Sequence, residues 1–477
     1  MKLGFRTFAA LLVLAGMTVL TSCGGYGGNS TSYTMATPQS AMVTVNIGDA
    51  PNDRVAALEI TIASLSLVNS SGTAVPVLTS PVHIELRRLA GTFRPISLTS
   101  VPAGTYTQAN LQLSAAEITV LDPTTGRLVE KNLPVPSTPI SIKFASPLVL
   151  TTPAATVNLD FNLASSVLID AAGNITFSPT ITATTGMVRP DKDNQHEAEE
   201  GEVEEVVGAV TNVASPSFTI MLGAGPQTLT FLTNSSTEFR GVGSLAAITK
   251  GTIVEVHALT LSDGTLLATR IEVEMEDENE QEAEAEGLVV STTGSPVTQF
   301  AILVRDHSGD ENKSSPVGTT LTVNVNSNTK FSIDSDEVDL NNLSFTAAFD
   351  ASSLAKAQNV EAEMGSHEVE IEDQHSGGLG ITADRVRLKQ QALTGTVSAL
   401  TQNGTASTFT LTVAADSVFS MLTGQTTVTV FVQPSTEVRT TPANGASVQV
   451  RGLLFFTGAN TTWWRTGLNN PNLELLT

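Results

Sequence analysis

The chain has 477 residues, a formal net charge of −23 at pH 7, 36 glycines, 21 prolines and one cysteine. A single thiol excludes an intramolecular disulfide and a cysteine-built zinc site, and an acidic chain with no basic footprint excludes nucleic acid as a partner. Abundant Thr, Val and Ser with turn-forming Gly and Pro favour all-β domains, and the length allows two to four of them.

The first segment reads as an export signal. Lys2 and Arg6 precede an apolar run from Phe8 to Leu20, too short for a comfortable membrane span of about 20 residues. Leu20-Thr21-Ser22-Cys23 follows and resembles the lipobox of bacterial lipoproteins. The resemblance implies a signal peptide over 1–22, cleavage between Ser22 and Cys23, and diacylglycerol on the Cys23 sulfur. Gly24 stands where aspartate would mark inner-membrane retention, so the expected location is the outer membrane within the cell envelope. The expected partner is the membrane itself, reached through acyl chains rather than a helix. Residues 23–40 lack apolar periodicity and read as a flexible tether.

Order is expected from residue 41. Val43-Val45-Ile47 alternates with Thr44 and Asn46, the period of a half-buried strand, and Leu58-Ile60-Ile62, Ile140-Ile142-Phe144 and Val157-Leu159-Phe161-Leu163 do the same. Turn signals at Asn69-Ser70-Ser71-Gly72, Asp122-Pro123 and Asp170 to Gly173 separate the runs, so 41–188 reads as a β-sandwich. Ile47-Gly48-Asp49-Ala50-Pro51 with Asp53 resembles the opening of the bacterial lipoprotein domain-of-unknown-function family 4382. Val101-Pro102-Ala103-Gly104-Thr105-Tyr106 resembles a turn of transthyretin-like sandwiches, with Tyr106 lying across the core edge.

Three segments then share one pattern, opening at Gly208-Ala209-Val210, Gly287-Leu288-Val289 and Gly395-Thr396-Val397. Each holds about five strands, as small oligonucleotide/oligosaccharide-binding or SH3-like barrels do. The pattern resembles the domain-of-unknown-function family 5666. The expected division is an acidic linker at 189–206, a barrel at 207–275, a second acidic linker at 276–286, a barrel with an acidic insertion at 287–389, and a barrel at 392–477. Asp191–Glu205, Glu272–Glu286 and Glu361–Asp373 hold nearly all of the net charge, so the acidity is expected in connectors and the insertion, with near-neutral domain surfaces.

No hydrolase elbow, phosphate loop or zinc-protease motif occurs, so no catalytic residue, metal or cofactor is assigned. Asp49, Asp53 and Asp160 are the carboxylates that could form an acid pair for glycoside hydrolysis, while Asp49 before Ala50-Pro51 reads more simply as a turn residue bonding nearby N–H groups. His367 and His375, among Glu368, Glu370, Glu372 and Asp373, and the Asp334-to-Asp339 run are metal-ligand-like, but read as solvated chain. Of the adjacent Trp463 and Trp464, one is expected inside the last barrel and the other outside. Asp49, Asp53 and Trp464 are therefore weak candidates for ligand contact.

The resulting expectation is a lipid-anchored envelope protein that binds or builds without catalysing, with a glycan or an envelope protein as partner. The alternatives are a polysaccharide-active enzyme using the sandwich carboxylates and a divalent-cation binder using the acidic linkers. Replacing Cys23 with Ser should abolish incorporation of an alkyne fatty acid in cells, because only the thiolate accepts the diacylglycerol. Undiminished labelling of the variant would refute the anchor.

Overall fold

In a computed structural model the described residues are 40–465, apart from 79, 152–153, 171–172, 188–201, 223–227, 262–264, 274–282, 309–315, 335–339, 341–346, 365–380, 404–405, 434–435, 437, 439–440 and 457–460. The signal and lipidation residues Ser22 and Cys23, and His367 and His375, lie outside them. The fold is all-β.

The N-terminal region supplies β1 (Ser40–Ala50), β2 (Val55–Asn69), β3 (Ala74–Leu78), β4 (Val82–Glu85), β5 (Phe93–Pro102), β6 (Gly104–Leu121), β7 (Leu128–Asn132) and β8 (Ile140–Leu150). It continues with β9 (Ala154–Asn162), a short helix α1 (Leu163–Ser166), β10 (Val167–Ile169), β11 (Ile175–Phe177) and β12 (Ile181–Met187). One sheet has the order β12-β9-β1-β5. The other runs β3-β2-β6-β7, with β4 on β2 and β8 on β6. Their facing side chains form one core that includes Val43, Val45, Ile47, Leu58, Ile60, Val157, Leu159 and Phe161.

β1 departs from its half-buried pattern, because Thr44 and Asn46 are buried too. It is a central strand, antiparallel to β5 and parallel to β9, and Asn46 donates to Asn158 Oδ1 at 2.8 Å. Its neighbour β5 is covered on the outer side, where Leu98 packs against the core of the next domain. Tyr106 is buried and its hydroxyl donates to the Pro102 carbonyl at 2.9 Å, which ties the Pro-Ala-Gly-Thr-Tyr turn to the core.

The first barrel comprises β13 (Glu202–Ala214), β14 (Ser217–Leu222), β15 (Thr228–Leu232), β16 (Glu238–Arg240), β17 (Ile253–Thr260) and β18 (Leu266–Val273). Its ring runs β15-β14-β13-β17-β18 and closes where β18 pairs parallel with β15. The second contains β19 (Ala283–Gly294), β20 (Val297–Ser308), β21 (Thr320–Asn324), β22 (Lys330–Ile333), β23 (Asn359–Met364), β24 (Ile381–Thr382) and β25 (Arg385–Lys389). Here the order is β22-β25-β23-β19-β20-β21-β24, so two short strands occupy the place of β18. The third has β26 (Gln391–Asn403), β27 (Ala406–Thr412), helix α2 (Val418–Thr423), β28 (Thr427–Val432), β29 (Ser447–Phe456) and β30 (Thr461–Arg465), and is a closed barrel. Trp463 and Trp464 lie on β30, which pairs with β28 and β29; their side chains are outside what is described.

The repeated glycine has one physical reason. A Cβ at Gly208 or Gly395 would stand 2.5 Å from the carbonyl oxygen of Met221 or Thr412, and at Gly287 it would meet that of Leu303. The first strand of each barrel therefore passes too close to its partner's backbone for any side chain.

Two expectations about the acidic runs need correction. Glu202–Val206 and Ala283–Glu286, read as linker, are already strand. Ala283 and Ala285 are fully buried, so alternation of alanine with glutamate forms a one-sided strand despite the charge. Nor are the barrels equally self-contained. Among the described residues the core of the first draws only Leu98 from outside, whereas that of the second includes Leu453 and Phe455 from β29. An isolated fragment covering 202–273 should therefore melt cooperatively, while 283–389 should do so only when extended through β30. A cooperative melt of 283–389 alone, read by circular dichroism, would contradict the shared core.

Candidate functional site

The Asp-Ala-Pro segment lies where the sandwich meets the second and third barrels. β1 stops at Ala50 because Pro51 has no N–H for the ladder. Gly48 permits this packing, since a Cβ there would collide with the Thr92 carbonyl and the Phe93 ring. The turn carboxamide is that of Asn52, whose Oδ1 accepts the Arg54 N–H at 3.1 Å. Asp49, expected in that role, is a strand residue only 5% exposed. Neither of its oxygens has a hydrogen bond of full geometry among the described residues. Burial pushes its pKa well above the ordinary carboxylate range; Arg87 works against this and Asp160, from adjacent β9, adds to it.

Asp53 reaches into the third barrel. Its Oδ2 accepts the Thr394 N–H at 2.8 Å, and its backbone carbonyl accepts that of Val418 at 2.7 Å. The second contact satisfies an N–H that helix α2 leaves free in its first turn. Oδ1 lies 3.6 Å from Arg87 Nη2, and burial raises the pKa while Arg87 and Thr394 lower it. Arg54 Nε pairs with Asp416 at 3.0 Å and its Nη1 donates to the Ile169 carbonyl at 2.7 Å. Arg451 of β29 donates to the Ala90 carbonyl at 3.2 Å.

A parallel set faces the second barrel. Glu85 Oε1 accepts the N–H groups of Leu58 and Arg87, and Oε2 accepts that of Arg88, all within 2.9 Å. Burial raises its pKa against the attraction of Arg305. Arg305 in turn donates to the Ala56 carbonyl through Nε at 3.1 Å and Nη2 at 2.7 Å, and burial brings it down to about 10. Arg88 pairs with Asp306. Apolar contact encloses these charges: Ala56, Ala57 and Leu121 meet Leu288 and Leu303 of the second barrel and Val418 of the third.

The structure thus brings Asp49, Asp53 and Asp160 together, and adds Glu85, Arg87 and Arg305. Arg87-Arg88 in a nearly neutral stretch was the available signal for the missed residues. Arg305 gave none, because its contacts with Ala56 and Glu85 cross more than 200 positions of sequence. The geometry clamps three domains: Asp49 and Glu85 are buried in it, and Asp53 is bonded across it.

A second charge cluster joins strands of the second barrel. Glu284, Glu361 and Glu363 bring carboxylate oxygens within 4.8 Å of one another, as metal ligands do. Bases of β25 meet them: Arg385–Glu363 at 2.7 Å, Arg387–Glu361 at 3.5 Å and Lys389–Glu361 at 3.4 Å. Asp334, the first carboxylate of the metal-ligand-like run, is not solvated chain but pairs with Lys389 at 2.9 Å. In the first barrel burial raises the Glu255 pKa, but His257, Lys389 and Arg270 overcome it and hold the group at about 2.

Residues 40–179, from β1 through β11, match the family model named Domain of unknown function (DUF4382). Residues 207–272, the first barrel, match Domain of unknown function (DUF5666). No curated protein matches the chain. The clamp therefore begins in the opening strand of the DUF4382 region, and Asp53 carries it into a barrel beyond both matches. Among the described residues no helix is long and apolar enough to cross a membrane.

The raised carboxyl pKa values have a defined pH signature. Asp49, Asp53 and Glu85 keep protons in the folded chain that the unfolded chain releases in the ordinary carboxylate range. Their contribution is thus most favourable below that range and is lost as pH rises above it, toward their folded values. Asp49→Asn should remove its share: melting temperatures of variant and wild type should coincide near pH 3 and diverge toward pH 7. There the variant should be the more stable, by about 1.4 kcal/mol for each unit by which burial raises the Asp49 pKa, because the amide has no proton to release. A variant less stable at pH 7 would show that the Asp49 charge is needed.

Proposed function

We propose that this is a lipid-anchored cell-envelope protein that acts as a non-enzymatic binding or structural module. The lipobox-like Leu20-Thr21-Ser22-Cys23 supports the anchor, and the outer membrane is the destination its Gly24 suggests. The observation that carries the non-enzymatic part is the use of Asp53, which holds Thr394 and Val418 of a different domain. A residue of the DUF4382 motif thereby serves assembly. In this reading the second and third barrels are further copies of the DUF5666 module, and the four domains form a platform whose partner is a glycan or another envelope protein.

One observation favours the second reading, a polysaccharide-active enzyme. Two neighbouring carboxyls with raised pKa suit a general acid. Asp49 is only 5% exposed, however, so a substrate could reach it only if the surrounding structure opened.

Asp53→Ala, which removes the acceptor for Thr394, separates the two. On the platform reading the variant melts at a lower temperature than wild type, both proteins partition with membranes into detergent, and neither turns over a glycan panel. Turnover by the wild type that disappears in a variant of unchanged melting temperature would establish the enzyme instead.

A further inference from the structure

The second and third barrels enclose a cleft of about 380 Å³, at the small end of the range for ligand sites. One wall is the turn between β19 and β20, the opposite wall is the end of α2, and residues 351–358 with the end of β29 close the base. Val297, Leu354 and Leu454 are buried and make an apolar floor, to which half-buried Phe456 adds a ring. Thr292, Ser295 and Ser352, with their hydroxyls, and exposed Lys356, with its ammonium, also line the cleft. None of these four groups has a hydrogen-bond or ion-pair partner among the described residues.

The loop beneath Lys356 is fixed from both barrels. Fully buried Gln358 accepts the Ala355 N–H at 2.7 Å and donates to the Leu454 carbonyl at 2.9 Å. Ala357 has φ of 69°, the left-handed region that a Cβ disfavours. It is held there by its N–H on the Val289 carbonyl at 2.8 Å and by Gln391 Nε2 on its own carbonyl at 2.7 Å. A strained residue determined by so many bonds, next to an unpaired cation, is the arrangement of a pre-organised binding loop.

We propose that this cleft binds an acidic sugar, a hexuronate or a hexuronate unit of a polysaccharide. The apolar face of the pyranose ring rests against Pro296 and Phe456, the ring hydroxyls bond Thr292, Ser295 and Ser352, and the carboxylate pairs with Lys356. A bare anion would use the lysine and leave the floor uncovered, and a neutral sugar would do the reverse. The assignment rests on the reading of the chain as a non-catalytic binder and supplies its ligand class.

The test is a titration of the full chain, in a detergent without a sugar headgroup, with D-glucuronate, D-glucose and inorganic phosphate, followed by calorimetry and ligand-observed NMR. D-glucuronate should bind saturably and roughly tenfold or more tighter than either other probe, the advantage of one charged hydrogen bond. Lys356→Gln should erase that advantage without changing the melting temperature, and Ser352→Trp, at the exposed rim, should block the cleft. Equal affinity for D-glucuronate and D-glucose, equal affinity for phosphate, wild-type binding by both variants, or no saturable binding would each overturn the proposal. Conversion of the sugar into new NMR signals would instead overturn the non-catalytic reading and leave the cleft assigned, whereas absence of binding removes the cleft and leaves that reading intact.

Discussion

The seating of Asp53 and Glu85 at the edge of the sandwich is the contact on which the arrangement of domains depends. Taking ions out of water costs several kcal/mol each, and mutual attraction repays this only with close geometry and further hydrogen bonds. Glu85 meets that condition through three backbone N–H groups and the neighbouring Arg305. Asp53 meets it through Thr394 and Arg87. Such contacts do little for net stability compared with well-packed apolar residues, but they penalise every other docking angle. The attraction itself comes from the six apolar residues around them. Charge thus selects the orientation and apolar burial holds it.

The barrels extend the same division of labour. Each begins with a strand that crosses its partner at a glycine, because backbone contact at Gly208, Gly287 and Gly395 leaves no room for a Cβ. Beyond that shared start they differ in how they complete their cores. The first barrel is nearly complete in itself, while the second takes Leu453 and Phe455 from the third. That sharing also brings Gln358 onto the Leu454 carbonyl and Gln391 onto Ala357. The cleft between these two barrels is a by-product of a packed junction, and for that reason its walls are fixed.

The acidic runs show how composition misleads when strands cross. On the chain, Glu284, Glu286, Glu361 and Glu363 belong to tracts with no base among them. In the fold, Glu361 lies opposite Arg387 and Glu363 opposite Arg385. Antiparallel pairing places side chains a few ångströms apart whatever their separation in sequence, so a tract with no local counter-charge becomes one stripe of a balanced ladder.

The sequence by itself determined what depends on neighbours within a few positions. Period-two alternation marked β1, β2, β8 and β9, proline and glycine marked their ends, and the Gly-x-Val openings marked the three barrels. The Asp-Ala-Pro segment and Tyr106 could be singled out, because local geometry constrains them. Tertiary structure alone decided that Asp49 is buried in a strand, that Asp53 belongs as much to the third barrel as to the sandwich, and that Arg305 is its counterpart toward the second. It also decided that Glu202–Val206 and Ala283–Glu286 are strand, and that Lys356 stands over a cleft. Every one of these outcomes is a pairing between residues far apart in the chain, fixed by which apolar faces bury one another, and one-dimensional periodicity carries no record of that choice.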